Sequence, residues 1–404
     1  MSECFAVSGK TRLFLPVFLF LWALSPPGTA SAQGNSAVQA LANLIVPSTS
    51  DFSGSTGDAT SSVILLDTFA TEVTTFPLGS SSSGFTWSFD PTLGVQTRRS
   101  NSFGPMFAER PLTNGRQKLN VAFAWQHTKF DSIAGQPLDN LVSTYPVFSN
   151  LTGARIGTVN GESHIELATD RYTLAASYGI TDRVDVGIVL PFGRTMVAGN
   201  SLVRGFLLGQ TTPLSTQTIA VEDASSAGVG DIILRGKFAL PSTGALDLAA
   251  GASVRFPSGD PEKFMGLKSK AAAIMLMGAA PLGTISPHVN VGYTFVGKSD
   301  FFDVANEVNY TFGVDVAATP GITIVGDVVG RALRDAANVD YASLPNGSTI
   351  FRSSAGTVNL LLGTVGTKIK ISGNWLFTAN VLIPLNSAGV KPRITPMVGF
   401  ERAL

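Results

Sequence analysis

Residues suited to acid–base or nucleophilic chemistry are few. Histidine occurs three times, at His127, His164 and His288, and none sits in a recognisable catalytic motif. Ser286 and His288 would share one face of an extended strand, a spacing that imitates the hydroxyl–imidazole pair of an acyl hydrolase. Polar lining of an interior is the plainer reading of the same pair. Asp300 and Asp303, beside Ser299, form the best acidic cluster, but two carboxylates are too few for a specific calcium site. Gly228-Val229-Gly230 lacks the following helix that would hold a nucleotide phosphate. The single cysteine, Cys4, lies in the N-terminal segment read below as an export signal. The mature chain is therefore expected to carry no disulfide, thiol catalysis or thiolate metal site. No cofactor, metal or enzymatic activity is expected.

What remains is charge interleaved with apolar side chains. The candidate functional residues are Lys118, Arg183, Asp185, Asp231, Arg235, Lys237, Asp247, Arg255, Glu307, Asp315, Asp327 and Arg393. Each stands in or beside a run where character alternates with period two, the period of a β-strand. Leu246, Leu248, Ala250, Ala252, Val254 and Phe256 alternate with Asp247, Ala249, Gly251, Ser253 and Arg255. Ile232, Leu234, Phe238 and Leu240 oppose Asp231, Arg235 and Lys237, and Val308, Tyr310, Phe312, Val314 and Val316 oppose Glu307, Asn309, Thr311 and Asp315. One face suits hydrocarbon and the other water.

The N-terminus explains where such strands would go. Lys10 and Arg12 precede an apolar run from Leu13 to Leu24, and Ala30-Ser31-Ala32 is a small-x-small cleavage site. This is the pattern of a secretory signal peptide over residues 1–32. The run is too short for a spanning helix, which needs about 20 residues, and Pro16 interrupts it. Removing it takes away Glu3, Lys10 and Arg12, leaving 26 basic and 27 acidic residues, a balance that does not favour nucleic acid.

Mean hydropathy is +0.26 and only 14% of residues are charged, against about 25% in soluble domains. Such a chain would normally carry membrane helices, yet past the signal there is no unbroken apolar run of the required length. A membrane chain without helices points to a closed barrel, since only helices and closed sheets satisfy every backbone amide and carbonyl in lipid. The expected fold is an all-β, antiparallel, transmembrane up-and-down barrel over residues 84–404. Residues 33–83, rich in Ser, Thr and Gly, read as a flexible leader or a plug, with one amphipathic piece from Ala37 to Val46 stopped by Pro47.

The connections alternate between short and long. Short ones are Gly179–Asp182, Pro241–Ala245, Pro281–Thr284, Thr319–Gly321 and Ser372–Asn374, and long ones are Asp131–Gly161, Asn200–Ala224, Ser258–Lys270 and Arg334–Ala355. Outer-membrane barrels sort their connections this way, with tight periplasmic turns and longer external loops. Counting back from Pro392–Arg402 gives about twelve strands to Gln117, or fourteen if Phe85–Asp90 and Phe103–Glu109 join. An even number puts both chain ends on the periplasmic side.

Three motifs carry a resemblance. Tyr178-Gly179-Ile180-Thr181-Asp182-Arg183-Val184-Asp185-Val186-Gly187 is similar to a turn-and-strand signature of the outer-membrane family named for the MetA pathway of phenol degradation. Gly228-Val229-Gly230-Asp231-Ile232 resembles that family's strand-opening Gly-x-Gly-Asp, and Phe256-Pro257-Ser258-Gly259-Asp260 its strand-ending Pro-Thr-Gly-Asp, with Ser258 in place of Thr. The same residues also read as plain turn chemistry. The resemblance runs from about Arg116 to the C-terminus and implies an outer-membrane barrel with a transport role for apolar or aromatic compounds. A departure is the ending Glu401-Arg402-Ala403-Leu404, which places Phe400 short of the terminus.

These readings predict a porin-like channel for small solutes, working by passive diffusion, with the twelve charged residues lining the lumen. Pairs such as Arg235 or Lys237 with Asp247 would neutralise one another there. Outward placement near the bilayer midplane would cost roughly 2 to 4 kcal/mol for each Arg or Lys. The expected partners are outer-membrane lipid, a small-molecule solute and the barrel-assembly machinery. The rival is a structural or adhesive surface barrel whose long loops bind partners without transport.

Overall fold

An extended chain that alternates apolar and polar residues shows one character on each side, and it can hide the polar side only by curling into a ring. In the computed structural model, residues 35–49, 59–90, 94–242 and 244–404 are described. The expected export signal lies outside them. Two helices come first, α1 (Ala37–Thr49) and α2 (Ala59–Thr74), followed by a separate two-stranded sheet of β1 (Trp87–Asp90) and β2 (Val95–Arg98). Then come β3 (Leu119–Ile133), the short β4 (Gln136–Pro137) and β5 (Leu141–Phe148), β6 (Arg155–Gly179), β7 (Val184–Leu207), β8 (Ser215–Val229), β9 (Ile233–Ala239), β10 (Asp247–Arg255) and β11 (Ala271–Ala279). The rest are β12 (Ile285–Val296), β13 (Asn306–Thr319), β14 (Ile322–Ser343), β15 (Thr349–Ser372), β16 (Trp375–Pro384), the short β17 (Val390–Pro392) and β18 (Thr395–Ala403).

Antiparallel pairing leads from β3 through β6, β7, β9 and each following long strand to β18. There Met397 to Ala403 pair with Gln126 to Asn120 of β3 and close the ring. The last residue takes part, as the Leu404 N–H donates to Leu119 O at 2.7 Å. β8 and β9 both pair with β7 and form one broken strand, so the barrel is a closed ring of 12 strands. The fourteen-strand option is not realised: Trp87–Asp90 pairs only with β2, and Phe103–Glu109 is not a strand.

Alternation sorts the faces as expected. Leu234, Phe238, Leu248, Val254, Ile274, Leu276, Val289, Val291 and Phe312 are exposed on the outside, while Asp185, Asp231, Asp247, His288, Glu307, Asp315 and Asp327 are buried inside. Tyr310 lies flat over its cross-strand partner Gly330, where any added Cβ would strike the ring. Among the described residues no helix is long and apolar enough to cross a membrane.

Three of the four long connections are mostly strand. β6 and β7 run 25 and 24 residues, far beyond the 9 to 11 needed to cross a bilayer, and the loop between β7 and β8 is only 208–214. Residues 208–219 are exposed on both faces. A strand wet on both sides has no reason to alternate, so the sequence pattern there gave no strand signal. At the opposite end the turns are tight. The Gly373-Asn374 turn is allowed by Gly373 at φ +51, a left-handed conformation that other residues adopt at a cost.

The interior is not simply wet. Ala37, Leu41, Leu44 and Ile45 of α1 and Leu65, Phe69 and Val73 of α2 are buried with inward side chains from β3, β6, β7, β14 and β15, including Phe130, Ile165, Leu167, Val197 and Phe351. The connection at residues 258–270 folds in over them, burying Phe264 and Leu267. This apolar core occupies the long-loop end and corrects the expectation of a polar lumen throughout.

Candidate functional site

The polarity of a single strand inverts along its length. On β6 the outward residues Leu174 and Tyr178 are exposed, and the inward Arg171 donates to main-chain carbonyls inside. Toward the long-loop end Glu166 and Asp170 point outward, and Ile165 and Leu167 point in. The change falls between two rows on the outer wall. Phe123, Tyr172 and Phe192 stack, with ring centroids 6.2 and 5.4 Å apart. The next paired row places His127 opposite Asp170, Nδ1 to Oδ1 at 2.8 Å, and Asp170 opposite Arg194.

Below that level, residues 77–86 and 102–115 thread the interior at the short-turn end. A segment outside any sheet must find partners for its backbone groups or lose stability, and the wall supplies them. Glu401 accepts the Gly84 N–H at 2.6 Å and the Ser83 hydroxyl at 3.0 Å. Thr323 Oγ1 accepts the Phe103 N–H at 3.0 Å, and Lys368 Nζ donates to Phe103 O at 3.2 Å. Asp327 Oδ2 accepts the N–H groups of Met106 and Phe107 at 3.0 and 2.9 Å.

The twelve candidate residues divide accordingly. Asp185 accepts the Asn114 N–H at 3.0 Å and lies 3.4 Å from Lys237 Nζ, which also donates to Arg110 O and Leu112 O. Arg235 pairs with Glu109 at 2.5 Å and bonds Ser81, and Asp247 pairs with Arg99 at 3.0 Å. Glu307 pairs with Arg331 at 2.5 Å, and Asp315 and Asp327 flank His288. Arg255 borders the interior cavities. Lys118 lies at the foot of the barrel with its ammonium 5.7 Å from the Trp87 ring. Arg183, in the turn after β6, and Arg393, between β17 and β18, are exposed.

One expectation changes. Arg235 and Lys237 do not meet Asp247; Arg235 and Asp247 each pair with a residue of the inner segment, and Lys237 meets Asp185 of the neighbouring strand. His288 points inward between two carboxylates, where it lines the interior. Glu109, Arg99, Arg331, Lys368 and Glu401 are the residues that sequence reasoning missed. Burial alone would push the Glu109 carboxyl up, but the Arg235 guanidinium, the Ser82 hydroxyl and the Ser81 N–H hold it below the usual carboxylate range.

Two of the motifs meet in space. Asp231 Oδ1 accepts the Gly259 N–H at 3.0 Å, Ser258 Oγ donates to Gly230 O at 2.9 Å, and the Ile232 N–H donates back to Ser258 Oγ at 2.9 Å. Asp231 Oδ2 also takes the Leu267 N–H at 3.3 Å. The pair thus breaks the β8–β9 strand and pins residues 258–270 inward. A Cβ at Gly259 would collide with Met265 and Gly266. Among the described residues no group of three or more His, Cys, Asp or Glu side chains is arranged to hold a metal ion.

Four cavities follow one side of the interior. One near Asp67, Asp303 and Asp335, about 60 Å³, shares Thr71, Val304, Ala305 and Leu333 with a constriction of about 20 Å³. The constriction shares Thr75, Arg255, Glu307 and Arg331 with a cavity of about 200 Å³. That one shares Leu78, Arg235 and Met275 with a last cavity of about 160 Å³, reaching Asn114 and Asp185 near the short-turn end.

No curated protein matches the chain in sequence. Among solved structures it resembles an outer membrane channel from Pseudomonas putida F1, with a TM-score of 0.47 and 13% identity over 72% of this chain and 97% of that one. It also resembles the P. putida toluene transporter TodX, with a TM-score of 0.36 and 8% identity over 71% and 90%. For the Ralstonia pickettii toluene transporter TbuX the TM-score is 0.34, with 10% identity over 71% and 90%. A family model described as "Putative MetA-pathway of phenol degradation" matches residues 148–387. That match spans more than half of the chain and takes in β6 to β16, with Asp185, Asp231, His288 and Arg331, so the chain belongs to this family.

Proposed function

We propose that this protein is an outer-membrane channel that passes small solutes by diffusion. The observation that carries the reading is the series of cavities, each sharing lining residues with the next, from Asp335 near the long loops to Asp185 near the short turns. A barrel serving only as an anchor has no need of a run of cavities along its interior. The outer wall supports membrane insertion, because its aromatic row followed by a charged row is what a lipid–water boundary selects. In this reading residues 1–32 are a cleaved export signal, the barrel-assembly machinery inserts the mature chain, and no covalent chemistry takes place. The lining is mixed: Leu78, Phe107, Met275 and Met277 stand opposite the Glu109–Arg235 pair, which suits solutes that are largely apolar. The test is planar-bilayer conductance and liposome swelling by the purified protein. Discrete conductance steps are expected; a silent bilayer with correctly folded protein would leave the anchoring, partner-binding barrel as the better account.

A further inference from the structure

The largest of the four cavities lies between residues 74–78 of the inner segment and the wall. Four arginines border it, Arg171, Arg235, Arg255 and Arg331, against two carboxylates, Asp231 and Glu307. Three of the arginines are engaged. Arg171 donates to the carbonyls of Val73 and Thr74, Arg235 to Glu109 and Ser81, and Arg331 to Glu307 and Thr75. The carboxylates are engaged too: Asp231 receives the N–H groups of Gly259 and Leu267, and Glu307 holds Arg331.

Arg255 is different. It borders both this cavity and the constriction beside it. Its guanidinium makes no hydrogen bond or ion pair among the described residues, and feels Glu307 and Asp231 only as more distant charges. A guanidinium drawn partly out of water without a partner is costly, so its retention at a cavity wall calls for a ligand. The remaining wall is mixed, with Thr74, Thr75, Asn309 and Thr311 beside an apolar stretch of Phe76, Leu78, Met265, Met275 and Val329.

We infer that Arg255 is the recognition group of a solute subsite, and that the solute is a small organic anion with an apolar body and one carboxylate. The inference rests on the channel reading and names the class of solute. A guanidinium offers two parallel N–H donors that match a carboxylate. The excess of arginines over carboxylates favours an anion over a neutral or cationic analogue. Size agrees, since an apolar cavity of about 150 Å³ holds benzene, and about 200 Å³ leaves room for the carboxylate.

The test uses benzoate and its neutral analogue benzyl alcohol as probes, titrated calorimetrically into the full mature protein in detergent, with single-channel current recorded in parallel. Benzoate is expected to bind at least tenfold more tightly than benzyl alcohol. Arg255→Met should abolish that preference, and Arg255→Lys should keep part of it, with heat-modifiable gel migration certifying each barrel. Equal binding of the two probes to the unaltered protein overturns the inference, as does a preference that survives in Arg255→Met. Arg255-dependent benzoate binding without conductance would sink the channel reading and leave the subsite standing. Conductance without benzoate preference would do the reverse.

Discussion

His288 Nε2 lies 2.6 Å from Asp327 Oδ1, and the other oxygen of the same carboxylate receives the Met106 and Phe107 N–H groups. One side chain of β14 thus joins the wall of β12 to the segment that fills the bore. Asp327→Leu removes the acceptor for three buried donors and should cost roughly 3 to 5 kcal/mol. Arg110, buried at 6% exposure, should become a trypsin site as residues 103–110 loosen, and channel conductance should rise. Unchanged resistance to trypsin would mean that the segment is held by its other contacts.

The Glu109–Arg235 pair at 2.5 Å is the second tie between segment and wall. Arg235→Met strands the carboxylate and should cost roughly 3 kcal/mol, and Glu109→Gln strands a partly exposed guanidinium and should cost less. The double variant should cost less than the two singles together, by about 2 kcal/mol, because neither charge is then left alone. Urea unfolding of the four proteins in detergent measures this coupling; strict additivity would show that the two charges are solvated separately.

The barrel was legible because its signal is periodic. Leu248 against Asp247, or Phe312 against Asp315, reports a face directly, and a ring of such strands follows from the need to close every edge. The contents of the bore left no such trace. Gly84 meets Glu401 and Phe103 meets Lys368 through single main-chain groups, and a main-chain contact does not announce itself in residue type. Arg235 of β9 and Asp247 of β10 point inward, and their partners, expected on the neighbouring strand, lie more than a hundred residues upstream, at Glu109 and Arg99. Arg183 and Arg393 each sit in a connection, where period two no longer sets direction. The apolar helix seats went unread for a related reason: Ile165 and Leu167 are inward and Leu174 outward on one unbroken strand, so hydrophobicity alone could not say which side faced lipid.

Leu276 is 68% exposed at the middle of the nine-residue β11, and its neighbour Met277 is buried. Leu276→Arg should destabilise the barrel in lipid vesicles by roughly 2 to 4 kcal/mol, the cost of a cation facing the hydrocarbon midplane. In small detergent micelles, which deform around a charge, the penalty should shrink. Urea-driven unfolding from vesicles and from micelles makes the comparison, and an equal effect in both would place Leu276 away from the acyl chains.

Two acids of α2 should make the seating of that helix sensitive to pH. Burial pushes Asp67 up to about 7 despite a hydrogen bond from Asp303, whose own charge adds to the rise. Glu72 is likewise raised by burial to about 7, against the opposing pull of Lys391, the Val390 N–H and Arg331. The geometry fits a protonated Glu72: Oε2 accepts the Val390 N–H at 2.8 Å, while Oε1 is buried with no partner among the described residues. Both folded values exceed those of the same groups in an unfolded chain, near 4, so the seated helix holds protons that the released helix gives up. That contribution is complete below about pH 4 and is lost as pH rises through about 7. Amide-exchange protection of residues 65–75, normalised for the intrinsic rate, should therefore fall between pH 5 and pH 8.5, and Glu72→Gln should flatten the profile. Protection that increased with pH would mean that Lys391 and Arg331 keep Glu72 ionised in place, and the pH response would then belong to other groups.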